Sequence, residues 1–158
     1  YPNSYYLGMS SLGIHAIYRR LNSCGNVACE RAFREKEYQL KGVAPLSLES
    51  QRPLTDFPVI AFSVTYELDY FHVAELLRAS GIPVLAAERD ERHPLIIAGG
   101  PCVTANPMPL APFFDCLCIG EAEAILPQML PVLAGVAVPS VGISSLLIQG
   151  LLVAGTMA

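Results

Sequence analysis

Four short stretches of this sequence hold glycines or hydroxyls in runs that suit loops: residues 7–13 (Leu-Gly-Met-Ser-Ser-Leu-Gly), 63–67 (Ser-Val-Thr-Tyr-Glu), 99–104 (Gly-Gly-Pro-Cys-Val-Thr) and 120–123 (Gly-Glu-Ala-Glu). Glycine allows positive φ and close approach of a backbone to a ligand, and the N–H groups that open a helix can hold an anion. The chemistry on offer is ligand binding through loop backbones. Gly8, Ser10, Gly13, Ser63, Thr65, Gly99, Gly100, Gly120 and Glu121 are the candidate binding residues. Taken singly, each loop is explained equally well by the turn chemistry that joins a strand to a helix.

Sharper chemistries fail on the residues present. Gly8-Met9-Ser10-Ser11-Leu12-Gly13 lacks the middle glycine of a dinucleotide fingerprint, and the segment lacks the Lys-Ser/Thr of a P-loop. A phosphoacceptor domain needs an Asp where this chain has Ser63-Val64-Thr65. Cys24, Cys29, Cys102, Cys116 and Cys118 contain no C-x-x-C, and Cys116 and Cys118 read as core residues of a buried strand. Cys102, beside Gly99-Gly100, is the thiol expected near a cleft. His15, His72 and His93 have no evident carboxylate partner at a fixed spacing and read as structural or exposed. Glu121 and Glu123 suit a helix start. No catalytic residue and no metal ligand is assigned.

The candidate residues need elements to position them. Ser10-Ser11 precedes a helical stripe of Leu12, Ile14, Ile17, Tyr18 and Leu21. Residues 27–33 read as a strand, 35–41 as a short polar helix, and 45–50 as an irregular or edge element. Residues 58–64 are apolar on both faces and are expected as a central parallel strand. A helix over 67–80 stops at Ser80-Gly81. Strands are expected at 82–87, 94–98 and 116–119, with a short helix or turn over 107–114 and a last helix over 122–133. Alternation of strands and helices predicts an α/β, Rossmann-like three-layer fold with a mostly parallel sheet. Ligands of such sheets bind beyond the carboxyl ends of the strands, where the four loops fall.

The 158 residues suffice for one core-bearing domain, assigned to residues 1–140. Hydrophobic residues make up 53% and charged ones 15%, which fits a sheet covered on both faces. A net charge of -4 with scattered Lys and Arg argues against nucleic acid. Five cysteines without a disulfide scaffold's density suit the cytoplasm. Residues 141–158 are uncharged, but their glycines and polar residues favour packing on the domain or on a neighbouring one over a membrane span. The chain opens at Tyr1 without a basic-then-apolar leader, and an apolar strand is expected before it.

Taken in order, Tyr-Leu-Gly-Met-Ser-Ser-Leu-Gly (6–13), Pro-Leu-Ser-Leu-Glu-Ser (45–50), Phe-Ser-Val-Thr-Tyr-Glu-Leu (62–68), Ile-Ala-Gly-Gly-Pro (97–101) and Ile-Gly-Glu-Ala-Glu (119–123) resemble the N-terminal domain of radical SAM Fe-S oxidoreductases. That domain is similar to flavodoxin-like, cobalamin-binding domains. The resemblance implies an accessory domain ahead of a catalytic barrel, which would carry a C-x-x-x-C-x-x-C motif for a 4Fe-4S cluster and S-adenosylmethionine. No such motif occurs in this chain. Cobalamin is the cofactor the resemblance implies for the domain itself. Of a D-x-H-x-x-G motif only the final glycine, Gly13, is matched, with Gly8 and Ser10 in place of Asp and His, so no histidine ligand to cobalt is expected. Ala122 replaces the second glycine of a Gly-Glu-Gly-Glu turn. The implied partner is the radical SAM domain of the same protein. A docking domain with a vestigial cleft is the alternative, and a cleft filled by its own side chains or dimerisation of the fragment would mark it.

Overall fold

The computed structural model describes residues 1–35 and 42–136. Residues 36–41 of the expected polar helix, the boundary at residue 140 and the segment 141–158 lie outside them. The elements run α1 (Tyr5–Met9), α2 (Leu12–Asn22), β1 (Val59–Ser63), α3 (Asp69–Ala79), β2 (Leu95–Gly99), α4 (Pro101–Ala105), β3 (Cys116–Leu117) and α5 (Ala122–Val136), with single 3-10 turns between some of them. The three strands form a parallel sheet in the order β1-β2-β3. Val59 lies opposite Leu95, Ser63 opposite Gly99, and Ile97 opposite Cys116.

Successive side chains of a strand point to opposite faces, and this divides the core in two. Ile96 and Ala98 join Phe62, Val64 and Leu117 against Val73, Leu76 and Leu77 of α3 and Val103 of α4. Ile97 and Cys116 face the other way, onto Met129 of α5. Helices therefore cover both faces of a parallel sheet, as a Rossmann-like α/β arrangement requires. At the end of α3, Ser80 returns its hydroxyl to the Leu76 carbonyl at 2.8 Å, and Gly81 turns the chain away at φ 72°.

Three sequence expectations need correction. Residues 58–64 do form a parallel strand, but β2 is the middle one, and Ala61 of β1 is exposed. Residues 27–33 join no sheet. The backbone groups of Cys29 and Arg31 are taken by side chains and loops: the Asn22 amide both donates to the Cys29 carbonyl (3.0 Å) and accepts from its N–H (2.9 Å), and Glu49 accepts from the Arg31 N–H at 2.7 Å. Residues 82–87 form no strand either. Arg89 donates to the carbonyls of Pro83 and Val84 at 2.9 and 3.2 Å, so a guanidinium takes the place of a neighbouring strand.

The same Arg89 reaches Phe113 O and Asp115 Oδ1, both at 2.9 Å, and Asp115 Oδ2 accepts from the Ile96 N–H at 2.7 Å. This partly buried pair ties the start of β2 to the approach to β3. It fixes the end of the sheet opposite the candidate loops.

Candidate functional site

Parallel pairing brings Ser63 and Gly99 side by side at the carboxyl edge of the sheet, with the loop after β3 next to them. There the loops bond mainly to one another. The Val64 N–H donates to Gly99 O at 2.8 Å, and the Cys102 N–H donates to Val64 O at 3.3 Å. Gly100 has φ 114°, and a Cβ on it would lie 2.6 Å from the Val64 carbonyl oxygen. Glycine is required here by backbone packing and by conformation together. Gly120, at φ 115°, donates its N–H to Thr104 Oγ1 at 3.1 Å. The loops after β1, β2 and β3 are thus stitched in sequence.

Thr65 bonds the Tyr1 hydroxyl at 2.7 Å, which carries the N-terminal segment across this edge. Gly8 sits against the same segment. A Cβ at Gly8 would fall 2.3 Å from Phe33 Cε1 and 3.1 Å from Tyr1 Cδ1, so its bare Cα is the seat for an aromatic ring. Residues 7–13, expected as a loop behind a strand, are instead the end of α1 and the start of α2. Ser10 caps α1 and donates its hydroxyl to Tyr6 O at 2.8 Å, while Gly13 lies exposed within α2. Glu121 is exposed, and its carbonyl accepts the first N–H bonds of α5. Ser63, Thr65, Gly99, Gly100 and Gly120 are therefore brought together, Gly8 joins them through Tyr1, and Ser10 and Gly13 stand apart on the helices.

Sequence reasoning missed the most buried polar group of this region. Asp69, in the first turn of α3, is fully buried; its Oδ1 accepts from Asn3 Nδ2 at 3.0 Å and lies 3.2 Å from His72 Nδ1. Its Oδ2 is buried without a hydrogen-bond partner among the described residues. His72 thus has a carboxylate three residues earlier, and so has His93, 2.9 Å from Asp90. The D-x-x-H spacing was the available signal in both places, on a helical face for Asp69 and His72 and in a turn for Asp90 and His93. Cys102 is buried rather than lining an open cleft. Burial, followed by the carboxylates of Glu67 and Asp69, pushes its thiol up, away from the reactive thiolate.

The positions that correspond to the cobalt-side motif are covered by Phe33 at Gly8 and turned back onto α1 at Ser10. The Thr65 hydroxyl, the Gly120 N–H and the Gly100 Cα face are engaged by Tyr1, Thr104 and Val64. The donor set does not fit a corrin ring with its nucleotide tail. Among the described residues no group of three or more His, Cys, Asp and Glu side chains could hold a metal ion, and no helix is long and apolar enough to cross a membrane.

The fold and this edge define a parallel α/β domain whose strand-end loops are closed on themselves. Residues 13–147 match the family described as radical SAM proteins, N-terminal, and the chain belongs to that family. It is similar to an uncharacterized protein of Methanocaldococcus jannaschii, with 28% identity over 123 residues, covering 78% of this chain and 23% of that protein. The chain therefore spans about a quarter of the length of this relative. No solved structure matches the chain.

Proposed function

We propose that this chain is a non-catalytic accessory region that docks on the radical SAM catalytic region of the same protein, with the former ligand edge of its sheet closed by its own side chains. The single observation that carries this reading is the closure itself: Phe33 on Gly8, Tyr1 on Thr65, and Val64 on Gly100. An edge that binds a large cofactor keeps donors and glycine faces open toward it.

Docking on a larger neighbour is supported by apolar side chains left exposed after the strands and on the N-terminal helices. Tyr66, Leu68 and Phe71 follow β1, Met108 follows α4, and Tyr6 and Leu12 stand on α1 and α2; each is more than half exposed. Apolar groups so placed suit a protein surface better than water. The relative's greater length supplies room for a partner within one polypeptide. The iron–sulfur cluster and S-adenosylmethionine belong to that catalytic region in this reading, and the free thiols suit a reducing, cytoplasmic setting.

Titration of the chain with hydroxocobalamin, followed in the visible spectrum, tests the closure. The expected result is the spectrum of free hydroxocobalamin throughout. A saturable band shift with one corrinoid per chain overturns the reading and restores a cobalamin role for this edge.

A further inference from the structure

Two rows of main-chain groups meet at Tyr1 without partners of their own, and neither the closed loops nor the proposed function uses them. The first is the outer side of β1. Pro58 O accepts from the Leu95 N–H at 2.9 Å and the Val64 N–H donates to Gly99 O at 2.8 Å, so the even-numbered residues of 58–64 are the ones that pair with β2. Val59, Ala61 and Ser63 turn their N–H and C=O groups the other way, where none has a hydrogen-bond partner among the described residues. Strand edges left open to water are ordinarily guarded by charge, proline or a bulge. These three positions carry no such guard, and Ala61 is exposed.

The second row lies in residues 28–32. Cys29 and Arg31 are engaged by Asn22, Glu49 and Leu48, but the N–H groups of Ala28, Glu30 and Ala32 have no partner among the described residues. Tyr1 joins the ends of both rows. Its amine donates to Ala32 O at 2.7 Å, and its hydroxyl meets Thr65 Oγ1, just beyond β1, at 2.7 Å. The Arg34 N–H donates to Asn3 O at 2.9 Å, so Tyr1–Asn3 runs beside Ala32–Arg34 in the same direction.

We propose that the two rows take up one further β-strand of the same protein, supplied by the chain immediately ahead of Tyr1 and running parallel to β1 and to residues 28–32. About five residues suffice to match β1. The N–H and C=O groups of such a strand find partners alternately in one row and the other, and both rows are satisfied at once. A strand so flanked is central in a parallel sheet covered by helices, which calls for an apolar run. Ala32 and Ile60, one from each neighbour, already pack against the α3 side of the core. The Tyr1 amine fits the same arrangement: burial pushes it down to about 5, whereas a peptide N–H makes the same bond to Ala32 O with no charge to bury. The greater length of the M. jannaschii relative leaves room for such a segment. A second copy paired edge to edge on β1 would leave Ala28, Glu30 and Ala32 as they are, and so accounts for less.

The test is residue-resolved hydrogen exchange on the full-length protein and on the same protein with everything ahead of Tyr1 removed. The amides of Val59, Ala61, Ala28 and Glu30 are expected to exchange about a hundredfold more slowly with the upstream segment than without it, while those of Ile60 and Phe62, which face β2, stay slow in both. Equal exchange in the two proteins at either row overturns the proposal; if it is slow in both, the edge belongs to another partner. Should the shortened protein fail to fold, Ala61→Pro in the full-length protein decides. Proline there leaves the β2 ladder intact, because the Ala61 N–H faces away from it, and exchange at Glu30, across the inserted strand, is expected to speed up by about tenfold or more. Unchanged exchange at Glu30 overturns the strand.

Discussion

Gly8→Ala separates a packing glycine from a ligand-binding one. Alanine is the better residue within a helix by about 0.5–1 kcal/mol, so α1 by itself gains from the change. Against that gain stands the Phe33 ring, which a Cβ would meet at 2.3 Å. Phe33 is 5% exposed and stacked edge-on against Tyr5 at 5.3 Å between centroids, so it has little freedom to retreat. Overpacking of this kind costs about 1–3 kcal/mol, leaving a net loss of up to about 2.5 kcal/mol. In a Phe33→Leu background the clash is gone, and Gly8→Ala becomes neutral or slightly stabilising. Urea unfolding of the four proteins of this cycle, followed by circular dichroism, reads the coupling directly. An equal loss from Gly8→Ala in both backgrounds refutes the packing account of this glycine.

Other substitutions test neighbouring parts of the structure. Gly100→Ala places a Cβ against the Val64 carbonyl at a φ of 114°, and is expected to lower stability by about 3 kcal/mol or more in the same assay. Arg89→Met removes the donor to Asp115 Oδ1 and to three carbonyls, an expected loss of about 2–3 kcal/mol; the double variant Arg89→Met/Asp115→Asn should lose less than the sum of the singles. Burial, with Glu49 next, pushes the Cys29 thiol up to about 11. Its folded value lies above the ordinary one, so the stabilisation of the neutral thiol is complete below pH about 9 and is lost as pH rises through about 11. Alkylation of Cys29 should accordingly stay slow at neutral pH and accelerate only toward that value, which peptide mapping by mass spectrometry follows.

The parts of the fold legible in the sequence were those whose pattern and partners are local. The apolar run at 58–64, the stripe of α3 with its Ser80-Gly81 stop, and the helix after Gly120 all lie where their periodicity puts them. The two segments misread as strands are partly apolar, as strands are, but one has no regular structure and the other bends into a 3-10 turn at Ala86–Glu88. What they lack is a neighbouring strand, and Asn22 and Arg89, which fill that place, lie up to seven residues away with no pattern to announce them. Gly8 and Gly100 are positions where a Cβ would meet close neighbours. Their reason was not legible, because Phe33 at Gly8 and Val64 at Gly100 are tertiary neighbours. Asp69 was passed over for the opposite cause: its partner His72 was one helical turn away, in plain reach of the sequence.

In the proposed reading the strand-end surface is a docking face and not a cofactor cleft. Hydrogen exchange measured on the chain alone and on the same chain within its full-length protein tests this most directly. Docking predicts slower exchange in the longer protein for peptides covering residues 5–13, 65–71 and 104–110, with little change on the Arg89–Asp115 side. Identical exchange of those three peptides in both proteins would contradict it.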